Sequence, residues 1–489
     1  MCDRPRVLFP VLAAPADRTI LTVGDVRLSV AQLAAACGGH LATLHAAGVR
    51  PGDRVGVWTQ GDVRTPVALA ANALAGVVTV PLNPRLGARE TAHIAADAAP
   101  RICFAADPSA LTPGALGPPS QLPALATTPT PLPSRPVDDA PLIVLYTSGT
   151  TGMPKGAVLS TRAVAHNLDA LARVWRWTAD DTVVHALPMF HAHGLVLGWF
   201  GSLRVGGGLH WQPRFDPAAL AAALDERALL FAVPTMYTRY AELADEAMLA
   251  GLRRARLLIS GSAALPKREH DRLNQLLSRG IYERYGLSET LMNCAVDTAG
   301  PAQPGYVGPP LPGVELRLVD DQRAPLDAHD DTTIGEIAVR GPHLFTHYLN
   351  NPAATAAVRD EDGWFYTGDL ATRRADGAIR IVGRRATDLI KSGGFKIGAG
   401  EIEAALADHP DVREVAVIGV PDADLGEAIV AFVVPTDPAA PPTLSALAEH
   451  VAAALSPHKR PRALHLVDEL PRNAMGKLQK AALRARLAV

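Results

Sequence analysis

Residues 146–156 read YTSGTTGMPKG and place three glycines, four Ser or Thr hydroxyls and one lysine in a single short stretch. Apolar runs at residues 142–145 and 157–159 lie on either side, so the pattern predicts strand, loop and strand. Glycines let the backbone turn tightly and point its N–H groups inward, while the hydroxyls and Lys155 add donors and a positive charge. Such a loop suits a polyphosphate. It is not a Walker A loop, because Gly156 rather than Ser or Thr follows Lys155.

The stretch resembles the phosphate loop of the adenylate-forming superfamily, which contains acyl-CoA synthetases, adenylation domains of nonribosomal peptide synthetases and luciferases. Further matches to that superfamily follow in its order, at residues 285–290, 366–370, 388–394 and 471–477. These matches extend over most of the chain. The resemblance implies an α/β protein with a large, multi-sheet N-terminal domain (residues 1–385) and a small, mobile α+β C-terminal domain (residues 386–489).

Composition sets independent limits. A chain of 489 residues exceeds one hydrophobic core, so two or more domains are expected. The net charge of −2 gives no indication of a nucleic acid or an anionic membrane as partner. Four scattered cysteines without a C-x-x-C pair, and the lack of an apolar run that could span a bilayer, predict a cytoplasmic protein. Beyond Gly383 the pattern predicts a small unit with helices at 401–409 and 444–455 and strands at 415–420 and 428–434.

The resemblance assigns a nucleotide site residue by residue. Glu289 corresponds to a Mg²⁺ ligand, with Thr147 beside it, because Mg²⁺ takes oxygen ligands. Asp369 would accept hydrogen bonds from both ribose hydroxyls. Arg384 is preferred to Arg385 as a further ribose contact, although one inserted residue leaves this choice open. The other expected ATP contacts are Ser148, Gly149, Thr150, Thr151, Gly152, Lys155, Ser260, Gly261, Ser262, Glu283, Tyr285, Gly286 and Ser288.

The C-terminal region carries two lysines that the resemblance assigns to successive steps. Lys477 matches the lysine that offsets charge on the carboxylate, the α-phosphate and the leaving pyrophosphate. Lys391 matches the thioester-forming face, where a narrow pantetheine arm of CoA passes close to the backbone. Asp388 resembles the hinge of the small domain, and a helix cap is an equal interpretation. The contacts expected beside Lys391 are Ser392, Gly393 and Gly394.

Two arginines indicate the substrate. Arg284 directly precedes the Tyr-Gly pair of the nucleotide motif, and Arg239 lies where this superfamily places the helix that lines the acyl pocket. Guanidinium groups pair with carboxylates in a bidentate way, so both are predicted to bind the far carboxylate of a short dicarboxylic acid. His191 belongs to an H-x-H pair with no third metal ligand at a useful spacing, and is expected to line the acyl or pantetheine channel.

The segments around both arginines resemble those of the family members that activate malonate and methylmalonate. The sequence hypothesis is therefore an ATP- and Mg²⁺-dependent ligase that joins one of these acids to CoA through an acyl-adenylate. Three alternatives remain open. The substrate could be another short or aryl acid, the acceptor could be a carrier protein, or the chain could be a nucleotide-binding regulator on an inactive synthetase fold. The choice between malonate and methylmalonate, the oligomeric state and the pathway are not determined by the sequence.

Overall fold

The protein was analysed as a computed structural model that describes residues 7–111, 117–147, 153–385, 388–393, 395–472 and 478–487. The strands of these ranges are β1 (Thr19–Val23), β2 (Val26–Ser29), β3 (Arg54–Trp58), β4 (Val78–Leu82), β5 (Ile102–Ala105), β6 (Pro119–Gln121), β7 (Pro141–Thr147), β8 (Lys155–Ser160), β9 (Thr182–His185), β10 (Gly208–Trp211), β11 (Ala228–Ala232), β12 (Leu257–Ser260), β13 (Tyr282–Leu287), β14 (Leu291–Ala295), β15 (Glu315–Val319), β16 (Pro325–Leu326), β17 (Gly335–Arg340), β18 (His347–Tyr348), β19 (Phe365–Arg373), β20 (Ile379–Arg384), β21 (Leu389–Ser392), β22 (Phe395–Gly398), β23 (Val412–Asp422), β24 (Gly426–Pro435) and β25 (Ala463–Leu466).

The α-helices of the same ranges are α1 (Val30–Ala46), α2 (Arg64–Ala75), α3 (Ala88–Ala98), α4 (Thr161–Val174), α5 (Gly201–Val205), α6 (Pro217–Ala222), α7 (Pro234–Leu243), α8 (Glu246–Arg254), α9 (Lys267–Leu277), α10 (Pro352–Val358), α11 (Ala399–Ala407), α12 (Leu444–Ala454) and α13 (Lys480–Leu487). A π-helix, His193–Phe200, leads directly into α5. None of the helices in the described part of the chain combines the length and apolar character needed to cross a bilayer.

The strands form three sheets before residue 385 and one after it. The first sheet has the spatial order β18-β8-β7-β4-β3-β5-β6, and the second has the order β14-β13-β12-β11-β9-β10-β1-β2. The third sheet is antiparallel, in the order β16-β15-β17-β19-β20. The fourth has the order β22-β21-β24-β23, with β25 paired to β24. This mixed α/β architecture confirms the predicted fold class.

Parallel strands in the second sheet explain where the candidate site lies. β9, β11, β12 and β13 run parallel, and every residue of β11 is buried, as expected for a strand covered on both faces. Their carboxyl ends lie at one edge, where parallel α/β sheets generally bind ligands. Helix α7 begins at that edge with Pro234, a residue favoured at the first helical position.

The C-terminal unit has a hydrophobic core of its own, which includes Ile390, Ile402, Leu406, Val417 and Val451. Helices α11 and α12 and strands β23 and β24 agree with those predicted from the sequence, and the unit also contains β21, β22, β25 and α13. It contacts the large unit at α9, where the backbone N–H of Arg268 donates to Asp408 at 3.1 Å. The exact boundary of 385/386 between two domains stays a prediction.

Candidate nucleotide and acyl site

The glycine-rich stretch lies between two paired strands, as predicted. β7 and β8 are antiparallel neighbours, and Thr147, the last residue of β7, is opposite Lys155, the first residue of β8. The hydroxyl of Thr147 is 3.5 Å from the backbone oxygen of Lys155, which is a weak contact. The predicted phosphate contacts Ser148, Gly149, Thr150, Thr151 and Gly152 lie outside the described residues.

Glu289 and Lys155 are linked through Tyr348. The hydroxyl of Tyr348 donates to Oε1 of Glu289 at 2.8 Å, and Nζ of Lys155 lies 5.3 Å from the centre of the same ring. Glu289 occupies the turn between β13 and β14, together with Ser288, and its backbone oxygen accepts from Phe345 N–H. This arrangement holds a carboxylate at the hydroxyl of Tyr348 and an ammonium over its ring.

Asp369 and Arg384 form the centre of the predicted ribose site. They are cross-strand partners on β19 and β20, and Nε of Arg384 lies 2.8 Å from Oδ1 of Asp369. The hydroxyl of Tyr285 donates to Oδ2 at 2.6 Å, and burial and this carboxylate raise the tyrosine pKa well above its usual value. Arg385 turns away and pairs with Glu336 and Asp321. The geometry favours Arg384 over Arg385, while the ribose contact itself stays a prediction.

The segment at the end of β12 carries three of the expected ATP contacts, Ser260, Gly261 and Ser262, and that role stays a prediction. Ser260 is fully buried, and its hydroxyl has no hydrogen-bond partner in the described residues. Gly261 follows directly, and Ser262 adopts a positive φ of 74°, a conformation that few non-glycine residues take. Gly286 in β13 is also required, because a Cβ there would lie 1.7 Å from the backbone oxygen of Leu291.

Glu283 has a different environment from the one expected for a nucleotide contact. Its carboxylate is 4% exposed and accepts from His270 at 2.9 Å, from the N–H of Leu265 at 3.2 Å and from the N–H of Gly305 at 3.1 Å. These bonds tie α9 and the loop before it to β13. The side chain of Glu283 therefore orders the loop that begins at Gly261, and a contact of Glu283 with nucleotide stays a prediction.

Arg284 is a buried cation. It is 5% exposed and lies against the backbone of Gly261, where a Cβ would approach its Cζ to 2.3 Å. Its Nε and Nη2 have no hydrogen-bond partner among the described residues. Burial lowers the pKa of Arg284 to about 10, so the group remains charged at neutral pH. A buried charge without a partner is costly, which indicates a site that an anion completes.

Three histidines surround this part of the structure, and all are held neutral. Burial lowers the pKa of His191 to about 4 and that of His185 to about 3. For His193, burial and then the nearby charge of Arg284 lower the pKa well below its usual value. His193 is the first residue of the π-helix, and both of its ring nitrogens lack partners in the described residues. The predicted channel residue His191 stacks at a tilt on Phe190, with ring centres 4.3 Å apart.

The structure does not place Arg239 beside Arg284. Arg239 lies on α7, where Tyr237 and Tyr240 form the buried face and its side chain points outward. Its side chain is 54% exposed, and Nη1 pairs with Glu242 at 3.3 Å. Arg239 is thus a solvent-facing residue in this structure, in contrast to the expected pocket position, and its contact with substrate stays a prediction.

The small unit supplies the remaining predicted residues. Lys391 is exposed on β21, and its backbone N–H donates to Glu427 at 2.6 Å. Ser392 is buried, and Gly393 has a positive φ of 57°, as a tight backbone passage requires. Lys477 and Gly394 lie outside the described residues. Asp388 joins β20 to the small unit through contacts with Arg384 and Lys480.

Tyr348, His193 and Lys480 were missed by the sequence analysis. Tyr348 reaches Glu289 because β18 pairs with β8, a contact between segments that are far apart in sequence. The H-x-H pair drew attention to residues 191–193, but the sequence pattern does not indicate that His193 is buried beside Arg284. The arrangement as a whole combines the glycine-rich hairpin of the first sheet, the Asp369 carboxylate of the third sheet and the buried cation Arg284 of the second sheet. It is suited to activating an anionic acid with a nucleotide.

Two protein-family models match successive parts of the chain. A family model described as AMP-binding enzyme matches residues 11–349, and a second, AMP-binding enzyme C-terminal domain, matches residues 401–477. The chain is 35% identical to a malonate–CoA ligase of Arabidopsis thaliana over 71% of this chain and 61% of that protein. The chain thus spans about three fifths of the length of the first curated relatives that it matches.

Two solved structures extend the comparison to nearly the whole chain. A malonyl-CoA ligase in a ternary product complex with methylmalonyl-CoA and AMP is 52% identical, and the alignment covers 95% of this chain and all of that one. Its TM-score is 0.72. ATP-bound MatB from Rhodopseudomonas palustris is 35% identical, with 98% of both chains covered and a TM-score of 0.88.

Proposed function

Because this chain belongs to the AMP-binding enzyme family, we propose that it is an AMP-forming acid–thiol ligase that joins malonate or methylmalonate to CoA. The observation that carries the choice of acid is Arg284, a buried cation whose Nε and Nη2 have no partner among the described residues. An acid with a single carboxylate would leave the charge of Arg284 unbalanced, because that carboxylate is the reacting group. A dicarboxylic acid supplies one carboxylate for Arg284 and keeps the other for the reaction.

In the first half-reaction, an oxygen of the near carboxylate attacks the α-phosphorus of ATP. The bond from this phosphorus to the bridging oxygen breaks, and pyrophosphate leaves. The products are an acyl-adenylate and pyrophosphate. Asp369, aligned by Tyr285 and Arg384, would hold the ribose, and Lys155 would neutralise phosphate charge. Arg284 positions the acid by its far end, so that proximity lowers the barrier for the near end.

In the second half-reaction, the thiol sulfur of CoA attacks the carbonyl carbon of the acyl-adenylate. AMP leaves, the thiol proton passes to solvent or to AMP, and the thioester is formed. The neutral state of His191 suits a channel that accepts an uncharged pantetheine arm. Lys391, Ser392, Gly393 and Gly394 would form the face that receives this arm, while Lys477 would act in the first half-reaction.

Mg²⁺ is proposed as the metal that accompanies ATP. Glu289 fits this role, because its carboxylate is held by the neutral hydroxyl of Tyr348. Thr147, the last residue of β7, is the second proposed oxygen ligand. No cluster of three or more His, Cys, Asp or Glu residues suited to a metal occurs within the described ranges. Mg²⁺ keeps several waters and binds through one or two protein oxygens and the phosphates, so a single carboxylate such as Glu289 is enough for this role. When bound, it would neutralise phosphate charge.

A cycle with two positions of the small unit is also part of the proposal. The likeness to the ATP-bound structure, with a TM-score of 0.88, exceeds that to the product complex, 0.72, although its sequence identity is lower. This supports the view that the orientation seen here corresponds to the ATP-bound step. The two proposed lysines, Lys391 and Lys477, would then serve alternate orientations of one mobile domain.

A cytoplasmic location is proposed from cysteine chemistry. Cys37, Cys103 and Cys294 are free and buried, and burial alone raises the pKa of Cys37 to about 12, so these groups are inert thiols. Fractionation of cells that produce the protein tests the location, and recovery in a membrane or exported fraction would contradict it.

A pyrophosphate-release assay over a panel of acids tests the function. Malonate and methylmalonate should exceed acetate, propionate, butyrate and an aryl acid in kcat/KM by on the order of a hundred-fold or more, since a site built around a charged partner rejects analogues that lack it. Equal use of butyrate would refute the dicarboxylate proposal and leave the ligase proposal standing. Release of pyrophosphate with no acid at all would refute the ligase proposal.

A further inference from the structure

A buried ionic cluster lies where the chain passes from the large unit into the small one. Nζ of Lys480, on α13, lies 2.5 Å from Oδ1 of Asp388 and 2.6 Å from Oε1 of Glu403, on α11. The side chains are 9%, 16% and 22% exposed, respectively. One ammonium is thus shared by two carboxylates away from bulk water.

The other oxygen of Asp388 binds the large unit. Oδ2 accepts from the backbone N–H of Arg384 at 2.8 Å, and the N–H of Asp388 donates back to the carbonyl oxygen of Arg384 at 2.6 Å. Gly383, with a φ of 148°, allows this close approach, because a Cβ at that position would lie 2.6 Å from the Cβ of Asp388. The same carboxylate therefore joins the end of β20 to two helices of the small unit.

This cluster connects directly to the candidate nucleotide site. Arg384, whose backbone is held by Asp388, places its guanidinium against Asp369, the proposed ribose acceptor. A rotation of the small unit about residue 388 would carry Lys480 and Glu403 with it. The bond from Arg384 N–H to Oδ2 would then have to break or be redirected.

We propose that Lys480 is a positioning residue that fixes the rotamer of Asp388 and thereby stabilises the orientation of the small unit seen here. Nζ of Lys480 is engaged by Asp388 and Glu403, so no contact of Lys480 with nucleotide or acid is part of the proposal. Lys480 acts through Asp388. It binds Oδ1 of Asp388 within the small unit, so that Oδ2 faces the backbone N–H of Arg384. This inference rests on the proposed function, because it assigns the orientation to the ATP-consuming half-reaction.

The charge state of the cluster agrees with this role. Burial tends to lower the pKa of Lys480, but Glu403 and Asp388 outweigh burial and raise it. Burial raises the pKa of Glu403, and Lys480 offsets part of that rise. Among the described residues, the other hydrogen bonds to Asp388 come from backbone amides: the N–H of Arg384 donates to its carboxylate, and the N–H of Ala399 donates to its backbone oxygen. Lys480 is therefore the cation that holds this carboxylate in place.

The test compares two half-reactions on the same preparation of each variant of the full chain. The first is malonate-dependent pyrophosphate release, and the second is thioester formation from supplied malonyl-adenylate and CoA. In Lys480→Met, the ratio of the first rate to the second should fall by about tenfold or more. Loss of Lys480 would make the orientation seen here the minor one, and a minor conformer is commonly populated at roughly 0.1–10%. Lys480→Arg, which keeps the charge, should return the ratio to within about threefold of wild type.

Lys459→Met is the matched control. Lys459 also belongs to the small unit and also forms a largely buried pair with α11, through Glu401 at 2.6 Å, but that pair does not include Asp388. Its loss should leave the ratio unchanged. A partly unfolded sample lowers both rates equally, so the ratio does not depend on the folded fraction.

An unchanged ratio in Lys480→Met, or an equal change in Lys459→Met, would overturn the inference. If Lys480→Met yields no folded protein, Asp388→Asn removes the charge that Lys480 holds while keeping an acceptor oxygen, and the same shift is expected. An unchanged ratio in that variant would overturn the inference too. Wild-type protein without malonate-dependent pyrophosphate release would instead refute the proposed function.

Discussion

At Arg284 a positive charge is buried beside a glycine backbone and beside neutral histidines. Burial of an unpaired charge destabilises a folded protein, and such groups are concentrated at functional sites. His193 cannot balance Arg284, because a histidine is either neutral or positively charged, and burial and the charge of Arg284 keep this one neutral. The balancing anion is therefore expected from the substrate. Gly261 is the residue that makes room for the guanidinium.

Arg284→Met should remove most of the preference for a dicarboxylic acid. Loss of one partner of a desolvated charge pair costs about 2–5 kcal/mol, which corresponds to a fall in kcat/KM for malonate of roughly thirty-fold to several thousand-fold. Use of butyrate should improve relative to malonate, because methionine fills the same space without charge. Steady-state kinetics with both acids measure the effect, and an unaltered malonate preference would contradict it.

The variant Arg239→Ala tests whether Arg239 binds the substrate or is only a surface residue. The pair with Glu242 is exposed, and exposed pairs contribute about 0–1 kcal/mol, so a substrate carboxylate could replace Glu242 at little cost. If Arg239 binds the acid, the variant should raise the KM for malonate by about tenfold or more and leave the KM for ATP unchanged. Wild-type malonate kinetics would leave Arg284 as the only one of these two arginines to bind substrate.

Among the elements, the sequence allowed good prediction of those that are locally encoded. β7 and β8 flank the glycine-rich stretch as expected, and α11, β23, β24 and α12 agree with the predicted helices and strands. Contacts between distant segments could not be predicted, since a single sequence does not reveal which strands pair. Tyr348 reaches Glu289 through such a pairing, and the outward position of Arg239 depends on which face of α7 is buried.

The link between α9 and β13 is expected to stabilise the acyl side of the site. Glu283→Ala removes a buried acceptor from His270 and from two backbone N–H groups, and each unsatisfied buried donor costs about 1–3 kcal/mol. Urea unfolding should show a loss of stability of at least that size. Asp271→Ala is the control, because Asp271 forms only an exposed pair on the same helix and should cost about 0.5 kcal/mol or less. Equal effects of the two substitutions would contradict this role of Glu283.

For the whole molecule, buried neutral histidines predict acid sensitivity. Burial lowers the pKa of His40 to about 4 and those of His185 and His343 to about 3, and all three are 1% exposed or less. Unfolded histidine titrates near 6.5, so below that pH the unfolded chain binds protons that the folded chain does not. Stability is therefore complete above about pH 6.5 and falls as the pH decreases towards 4.

Urea unfolding of the large unit between pH 7.5 and 5 measures this dependence. Each of these histidines should cost on the order of 1–2 kcal/mol at pH 5, because one unit of pKa difference equals about 1.4 kcal/mol. His343→Gln removes one titrating group and should reduce the slope of stability against pH by about one proton. A stability that does not change between pH 7 and pH 5 would show that these histidines are protonated in the folded protein.

Lys477 and Lys391 are predicted to act in different half-reactions, and this prediction involves both parts of the molecule. If the small unit turns between half-reactions, Lys477→Ala should reduce malonate-dependent pyrophosphate release by about a hundred-fold or more, the usual effect of removing a group that stabilises developing charge. It should spare thioester formation from supplied malonyl-adenylate. Lys391→Ala should do the reverse, because Lys391 lies on β21, beside the glycine that begins the proposed pantetheine passage. Equal loss of both half-reactions in either folded variant would mean that one orientation serves the whole reaction.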